Sequence, residues 1–419
     1  MHILYLHQHF STPDGSTATR SFAFARALAQ RGHRVTLATG RYLGAETGLG
    51  GPFRKGHREG QVAAFQVVEF DIAYANAMGM AARAAAFLRY AAAVGRLALG
   101  LRPDVVIASS TPLTVALPAL LAKALRGIPY IFEIRDPWPE LPRAMGVLPK
   151  PLAPLLEALA NLACRQSAAV VALSDGMAQT ALARGADPAR VHVIGNGSDL
   201  DLFGPHITPW RPPEAAPWEV LALYAGAHGR ANGLGVAVEA ARILAARGEK
   251  RLRLMLVGEG AEKTALMAQA KGLPNLTFLP AMPKRDVAQL FAGSQIALHL
   301  LADCPAFAEW TAPNKLMDGL AAGLPVISNA PGEAARLLAA GDCGIAAAPG
   351  DAQGLADALV SLAANPVRRA AMGAAARSLA VRQHDRRLLA QRFVALVEAI
   401  PGLEPASASE ARFAPAGRG

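Results

Sequence analysis

A chain of 419 residues, 52% hydrophobic and 18% charged, is long enough for two or three domains of roughly 150 residues each and too apolar to be disordered or fibrous. Its net charge of +10 comes with only 6% aromatic residues and no dense Lys/Arg patch interleaved with aromatics, which disfavours nucleic-acid binding. Cys164, Cys304 and Cys343 are widely spaced and form no CxxC or Cys/His pattern, so a reduced cytoplasmic setting is expected rather than a disulfide framework or a zinc site.

The N-terminal MHILYLHQHF lacks the basic start, long apolar run and cleavage site of a signal peptide, and Ile3 to Leu6 reads as a first buried strand. Short apolar, β-branched runs follow at Arg34 to Ala38, Phe65 to Glu69, Asp104 to Ala108, Pro129 to Glu133, Ala168 to Ala172 and Val191 to Ile194. Helix-length stretches such as Thr17 to Arg31 and Leu113 to Arg126 separate them. That alternation predicts a doubly wound parallel sheet over residues 1–204. Between Ile72 and Leu101 the apolar run is broken by Arg83, Arg89 and Arg96, so a spanning helix of about 18 uninterrupted apolar residues is not expected. No acid lies between Asp71 and Asp104. The segment therefore reads equally as a surface for an anionic leaflet and as a core-facing helix whose solvated arginines do not share one face.

Five prolines from Pro205 to Pro217 exclude helix and central strand and mark a linker over 205–217. The alternation restarts at Val220 to Ala225, Arg253 to Val257, Leu276 to Leu279, Ile296 to Leu300 and Leu324 to Ser328, predicting a second doubly wound domain over 218–380. Residues 381–400 offer a last helix able to return to the first domain, and 401–419, rich in Ala, Pro, Gly and Ser, read as a flexible tail. With two such sheets, the cleft outside the carboxyl ends of their strands is the expected active site.

The segment from Ala312 to Ile327 starts a helix at Pro313 and Asn314 and stops it at Gly323. Free N–H groups at that helix start, with Lys315 beside them, make a diphosphate seat, and Asp318 one turn on can take ribose hydroxyls. In isolation the same residues read as a capped helix with solvent-facing Lys315 and Asp318. Gly226-Ala-His-Gly-Arg230 follows a buried strand, so Gly226 and Gly229 spare a ligand from collision beside His228, and Arg230 reaches the cleft. Arg230 and Lys315 together would neutralise a leaving diphosphate. In the loop Ser11 to Thr17, Gly15 lets the main chain approach a ligand, and the absence of GxGxxG gives a dinucleotide oxidoreductase little support.

Asp136, at a strand's carboxyl end, reads as a group that orients or deprotonates an acceptor hydroxyl, and equally as a partner of Arg135 or a cap before Trp138. Glu133, Arg135 and Trp138 share that acceptor side, Glu133 leaning towards structure. Asp199 and Asp201 have D-x-D spacing inside a turn, and His7 and His9 lack a third ligand nearby, so no metal is assigned.

Taken in order, these segments resemble glycosyltransferase family 4. Further matching stretches are Arg31-Gly-His-Arg-Val35, Asn196-Gly-Ser-Asp199 with Phe203, Tyr224-Ala-Gly226, Leu256-Val-Gly-Glu-Gly260 and Pro349-Gly-Asp351. The resemblance runs from Met1 to about Ile400. It implies an α/β fold of the GT-B type, with two Rossmann-like doubly wound domains facing a central cleft. The implied donor site takes in Gly15, Gly226, His228, Gly229, Arg230, Gly258, Met282, Glu309, Asn314, Lys315 and Asp318, with Asp136, Arg230 and Lys315 in catalytic roles. Arg135-Asp-Pro-Trp-Pro-Glu140, Tyr224 to Arg230 and Pro313-Asn-Lys315 are similar to bacterial L-N-acetylfucosamine transferases of surface-polysaccharide clusters.

One departure concerns the family's E-x7-E pair: Trp310 stands eight residues before Asp318, and Glu309 is the nearest acid. Either Glu309 substitutes after a loop shift or a backbone amide does. The resemblance implies a retaining, metal-independent and cofactor-free transfer from a nucleoside diphosphate sugar, such as UDP-L-FucNAc, to a lipid-linked saccharide. Its setting would be the cytoplasmic face of the inner membrane, with peripheral contact to anionic lipid. The rival readings are a nucleotide-sugar epimerase of the same fold and a non-catalytic sugar-nucleotide-binding protein.

Overall fold

The computed structural model describes residues 1–403 apart from 16, 18, 76, 77 and 312; the tail beyond 403 and the first residue of the Ala312 to Ile327 segment lie outside the described residues. The first sheet contains β1 (His2–Leu6), β2 (Arg34–Tyr42), β3 (His57–Val62), β4 (Phe65–Tyr74), β5 (Val105–Ser109), β6 (Tyr130–Ile134), β7 (Ala169–Ala172) and β8 (Val191–Val193). Their order is β3-β4-β2-β1-β5-β6-β7-β8, parallel except for β3, which runs antiparallel to β4. Strands β5, β6 and β7 are buried along their whole length, as expected where helices cover both faces of a parallel sheet. The sequence reading missed β3, whose HREGQV has no apolar alternation because it is an edge strand.

The helix expected from Thr17 starts at Arg20 and runs to Gln30. The one expected from Leu113 opens as a single 3₁₀ turn before the α-helix Ala116–Arg126, closed by Gly127 at φ 69°. Met80–Leu101 forms one helix of 22 residues with a mean hydropathy of 1.3, long and apolar enough by length and composition to cross a membrane. Its inner face nevertheless packs into the first-domain core through Phe87, Tyr90, Val94 and Ala98, and the Tyr90 hydroxyl donates to the Ala38 carbonyl at 2.7 Å. It is therefore a core helix with one outward side.

The second sheet contains β9 (Val220–Ala225), β10 (Leu252–Val257), β11 (Leu276–Leu279), β12 (Ile296–His299), β13 (Val326–Ser328) and β14 (Gly344–Ala346), in the order β11-β10-β9-β12-β13-β14 and parallel throughout. Strand β14 is three residues long and opens on glycine, too little apolar signal to be read from sequence. The segment 205–217 has neither helix nor strand. It is fastened to the second domain: Arg211 donates to the carbonyls of Gly293, Ala216 and Glu219, and Trp210 N–H to that of Gln289.

Helix Pro366–Gln383 passes through the domain boundary drawn at residue 380; nothing between Ala380 and Gln383 breaks a helix. The return to the first domain happens at His384 and Asp385, where Ser198 N–H donates to the His384 carbonyl at 2.9 Å and Arg386 pairs with Asp199 at 3.0 Å. Helix Arg386–Glu398 then covers the first sheet. Phe393 stacks on Phe24 at 4.6 Å and on Tyr5 at 6.3 Å, with Leu389, Val394 and Val397 buried around it. Truncating this fully buried ring, Phe393→Ala, should lower unfolding stability by about 3–5 kcal/mol, measured by chemical denaturation.

Candidate active site

Strands β9 and β10 end at Gly226 and Gly258, and the two turns approach backbone to backbone. Gly258 sits at φ 144°, and a Cβ there would lie 1.9 Å from the Gly226 carbonyl oxygen. A Cβ on Gly226 would strike the Lys315 side chain at 2.6 Å. Glycine at these positions thus leaves room for Lys315 to lie across the strand ends.

Lys315 belongs to the first turn of helix Asn314–Ala321. Its Nζ donates to Asn232 Oδ1 at 2.6 Å and to the Tyr224 hydroxyl at 3.2 Å, and stands 5.1 Å from the Tyr224 ring centre. Among the described residues no carboxylate pairs with it. Burial alone lowers its pKa from 10.5 to about 8. Around it stand polar atoms with no partner: both ring nitrogens of the buried His228, Nε2 of the buried His299 and Oδ1 of Asn314. His228 and His299 stay neutral, burial pushing their pKa values down to about 4 and about 3 with the Lys315 charge adding to the shift. Arg230 opens the 3₁₀ turn that supplies Asn232, and its side chain is exposed. Gly229 precedes it in open space, Asn232 Nδ2 being the nearest atom at 4.0 Å. Met282 lies half-buried on the second-domain core.

Asp318 does not present a free carboxylate. Its Oδ1 accepts from Ser198 of the first domain at 2.7 Å and faces Lys284 Nζ at 3.5 Å, so only Oδ2 remains for a ribose hydroxyl. Glu309 is exposed and turned towards Arg336 at 3.4 Å, while its carbonyl accepts from Ser174 of the first domain at 2.8 Å. Trp310 crosses to pack against the first-domain core. The E-x7-E position is thus spent on joining the domains.

On the opposite wall, Asp136 accepts from the Thr111 hydroxyl at 2.7 Å. Arg135 Nη1 donates to His7 Nε2 at 2.6 Å. Because a guanidinium only donates, His7 carries its proton on Nδ1, facing Ser21 Oγ at 2.7 Å; burial and Arg135 keep the ring neutral. Trp138 packs half-buried on the first-domain core beside them. Glu133 is not on the acceptor side. It is fully enclosed, paired with Arg20 at 2.9 Å and accepting from Ser109 at 2.5 Å and Tyr5 at 3.3 Å. Burial pushes its carboxyl up, and Arg20 and Arg135 more than reverse this.

Gly15 is also reassigned. A Cβ there would meet Ser11 Oγ at 2.3 Å and the Glu46 amide at 2.7 Å, so glycine is required by the close packing of the chain on itself. The D-x-D acids are occupied as well, Asp199 by Arg386 and Thr19, Asp201 by Arg387.

Residues 15–197 match the family described as glycosyl transferase 4-like domain, and residues 219–365 match glycosyl transferases group 1, one family for each domain. The chain belongs to the GT-B glycosyltransferases. No curated protein matches this glycosyltransferase. Among solved structures it is similar to sucrose-phosphate synthase from Thermosynechococcus elongatus (16% identity, 95% of this chain and 98% of that one, TM-score 0.73). Anabaena HepE in complex with UDP-glucose gives 18%, 95%, 99% and 0.67. WaaG, a glycosyltransferase involved in lipopolysaccharide biosynthesis, gives 18%, 96%, 100% and 0.67. At these identities the likeness is one of fold.

Sequence reasoning missed the setting of Lys315 in this glycosyltransferase. His299 carried a signal, as the one polar residue in the run Ile296 to Leu300; Lys284 carried none. A lysine whose folded pKa lies below its unfolded value binds fewer protons folded than unfolded, so stability rises with pH between about 8 and 10.5. Lys315→Met should therefore stabilise the protein at pH 7 by roughly 1–3 kcal/mol, and thermal melts should show that advantage shrinking across the same window.

Proposed function

We propose that this glycosyltransferase moves a sugar from a uridine diphosphate sugar to a hydroxyl of a lipid-linked saccharide, with retention of configuration, in bacterial surface-polysaccharide assembly. The observation that carries the reading is Lys315, a cation without a carboxylate, lying over glycine-opened strand ends among unpartnered polar atoms. Such a floor fits a diphosphate, which supplies the missing counter-charge and lets the backbone come close. Exposed Arg230 on the adjoining turn adds a second positive charge. That HepE has been solved with UDP-glucose and that WaaG acts in lipopolysaccharide biosynthesis support the donor and the setting.

In the proposed reaction the bond from the sugar C1 to the β-phosphate oxygen breaks while the acceptor oxygen bonds to C1 on the same face. The acceptor proton passes to the departing phosphate oxygen. Lys315 and Arg230 stabilise the charge that develops there, so the reading needs neither metal nor cofactor. Asp136, held by Thr111, and Arg135, held by His7, stand on the acceptor wall to orient the hydroxyl. With Trp310 packed against the first domain in place of an acid, that position offers the sugar no hydroxyl acceptor, which suits a deoxy or N-acetylamino sugar such as L-FucNAc. Three unbridged thiols accord with a cytoplasmic location.

Uridine diphosphate at about 100 times its dissociation constant should raise stability by roughly 2.7 kcal/mol in thermal melts. Affinity should fall as pH rises through about 8, where Lys315 loses its proton, and Lys315→Met should bind at least tenfold more weakly with a flat profile. Selectivity for guanosine or adenosine diphosphate would overturn the donor; absence of any nucleotide shift would overturn the reaction. An epimer formed from donor alone would put the epimerase reading in its place.

A further inference from the structure

We infer, resting on the nucleoside diphosphate donor proposed above, that Ser198 of the first domain is a positioning residue for nucleoside selection in the second: it turns the carboxylate of Asp318 towards the ribose. Lys315 and Asp318 are three residues apart on helix Asn314–Ala321 and so share a face. A diphosphate seated on Lys315 therefore brings the adjoining ribose of a nucleoside diphosphate to Asp318. What the second domain does not supply by itself is the direction of that carboxylate.

The two oxygens of a carboxylate are equivalent, and rotation about its last side-chain bond exchanges them at little cost. Around Asp318 that equivalence is broken from two sides. Ser198 Oγ donates to Oδ1 at 2.7 Å, and Lys284 Nζ stands 3.5 Å from the same oxygen. Lys284 contributes charge with little direction, because an ammonium is a compact point charge that can meet either oxygen. The Ser198 hydroxyl makes a short, directional bond, so it decides which oxygen is engaged. Asp318 keeps 12% of its side chain exposed, and Oδ2 is the oxygen left for a ligand.

Ser198 can hold this aim because its own backbone is clamped. It is fully buried, its N–H donates to the His384 carbonyl at 2.9 Å, and its carbonyl accepts from the Arg386 N–H at 3.0 Å. Together these bonds form a parallel bridge to Asp385. Gly197 permits the close approach, since a Cβ there would lie 2.4 Å from the His384 carbonyl oxygen. On the other side Asp199 is tied to Arg386 at 3.0 Å and to the Thr19 hydroxyl at 3.1 Å. Only the rotation of the serine side chain is left to set, so little freedom is lost when its hydroxyl orders a neighbour. A mere tether between the domains would affect every ligand of the cleft alike, whereas a positioning residue acts on the ribose alone.

Titration calorimetry of the full chain with uridine diphosphate, 2′,3′-dideoxyuridine diphosphate and inorganic pyrophosphate tests the role of Ser198. The wild type should prefer uridine diphosphate to the analogue without ribose hydroxyls by about tenfold or more, as expected for a hydrogen bond to a charged acceptor. Ser198→Ala should reduce that preference to about threefold or less, the carboxylate then having to be ordered by the ligand. Its affinities for the dideoxy analogue and for pyrophosphate should stay those of the wild type. Ser198→Cys, close in size and only a weak donor, should behave in the same way and serves if the alanine variant melts early. A wild type without the preference, or a folded Ser198 variant that keeps it, would overturn the inference and leave the donor reading standing. An equal loss of affinity for all three ligands would overturn it in favour of a tether between the domains. A wild type that binds neither nucleotide would overturn the donor reading, and the role of Ser198 with it.

Discussion

The buried pair Arg20–Glu133 holds together the floor of the first domain. Glu133, next to last in β6, receives hydrogen bonds from β1 through Tyr5 and from the end of β5 through Ser109. Arg20 begins the first helix and donates also to the carbonyls of Ile194 and Gly195 just beyond β8. One ion pair thereby fixes three strand ends, a helix start and the segment leading to the second domain. Its geometry satisfies the charges on both sides, which is the condition under which burying them is tolerable; removing either partner would leave an uncompensated charge in the core. The segment carrying Arg135 and Asp136 rests on this arrangement, since Arg135 follows β6 by one residue and reaches His7 just after β1.

The second domain solves the opposite problem. Lys315 is half-buried without an acid, and its cost is moderated by a lowered pKa and by the oxygens of Asn232 and Tyr224. Such an arrangement is poor for stability and good for receiving an anion, since the ligand supplies what the fold withholds. The acids a sequence reading would offer as partners or sugar contacts are engaged elsewhere: Asp318 with Ser198 and Lys284, Glu309 with Arg336. Lys315 and Arg230 stand on the second domain's side, and Asp136 is tethered by Thr111 on the first domain's.

Much of this was legible from sequence where the signal is repetitive. Twelve of the strands announce themselves as short apolar runs because both faces of a parallel sheet are buried, whereas β3 is a polar edge strand and β14 only three residues. Lys315 and Asp136 were legible as cleft residues from their places after strands and at a helix start. What sequence could not deliver was the partner of each side chain. Glu133 lies inside β6 and Asp136 two residues beyond its end, and only their partners, Arg20 and Thr111, tell the core residue from the one at the cleft. Glycine was ambiguous for a similar reason: Gly226 makes room for Lys315, while Gly15 makes room for Ser11 and Glu46.

The helix Arg386–Glu398 gives the molecule a mechanical property. The chain passes between the domains twice, after Phe203 and again at His384, and the crossings lie side by side because Arg377 donates to the Phe203 carbonyl and Ser198 to that of His384. Two bodies joined at one flexible point can swivel about three axes; joined at two neighbouring points, they are restricted to rotation about the line through both. A rotation about that line would part Trp310 from the first-domain core and the Ser174 hydroxyl from the Glu309 carbonyl together, so one distance across the cleft would be enough to follow it.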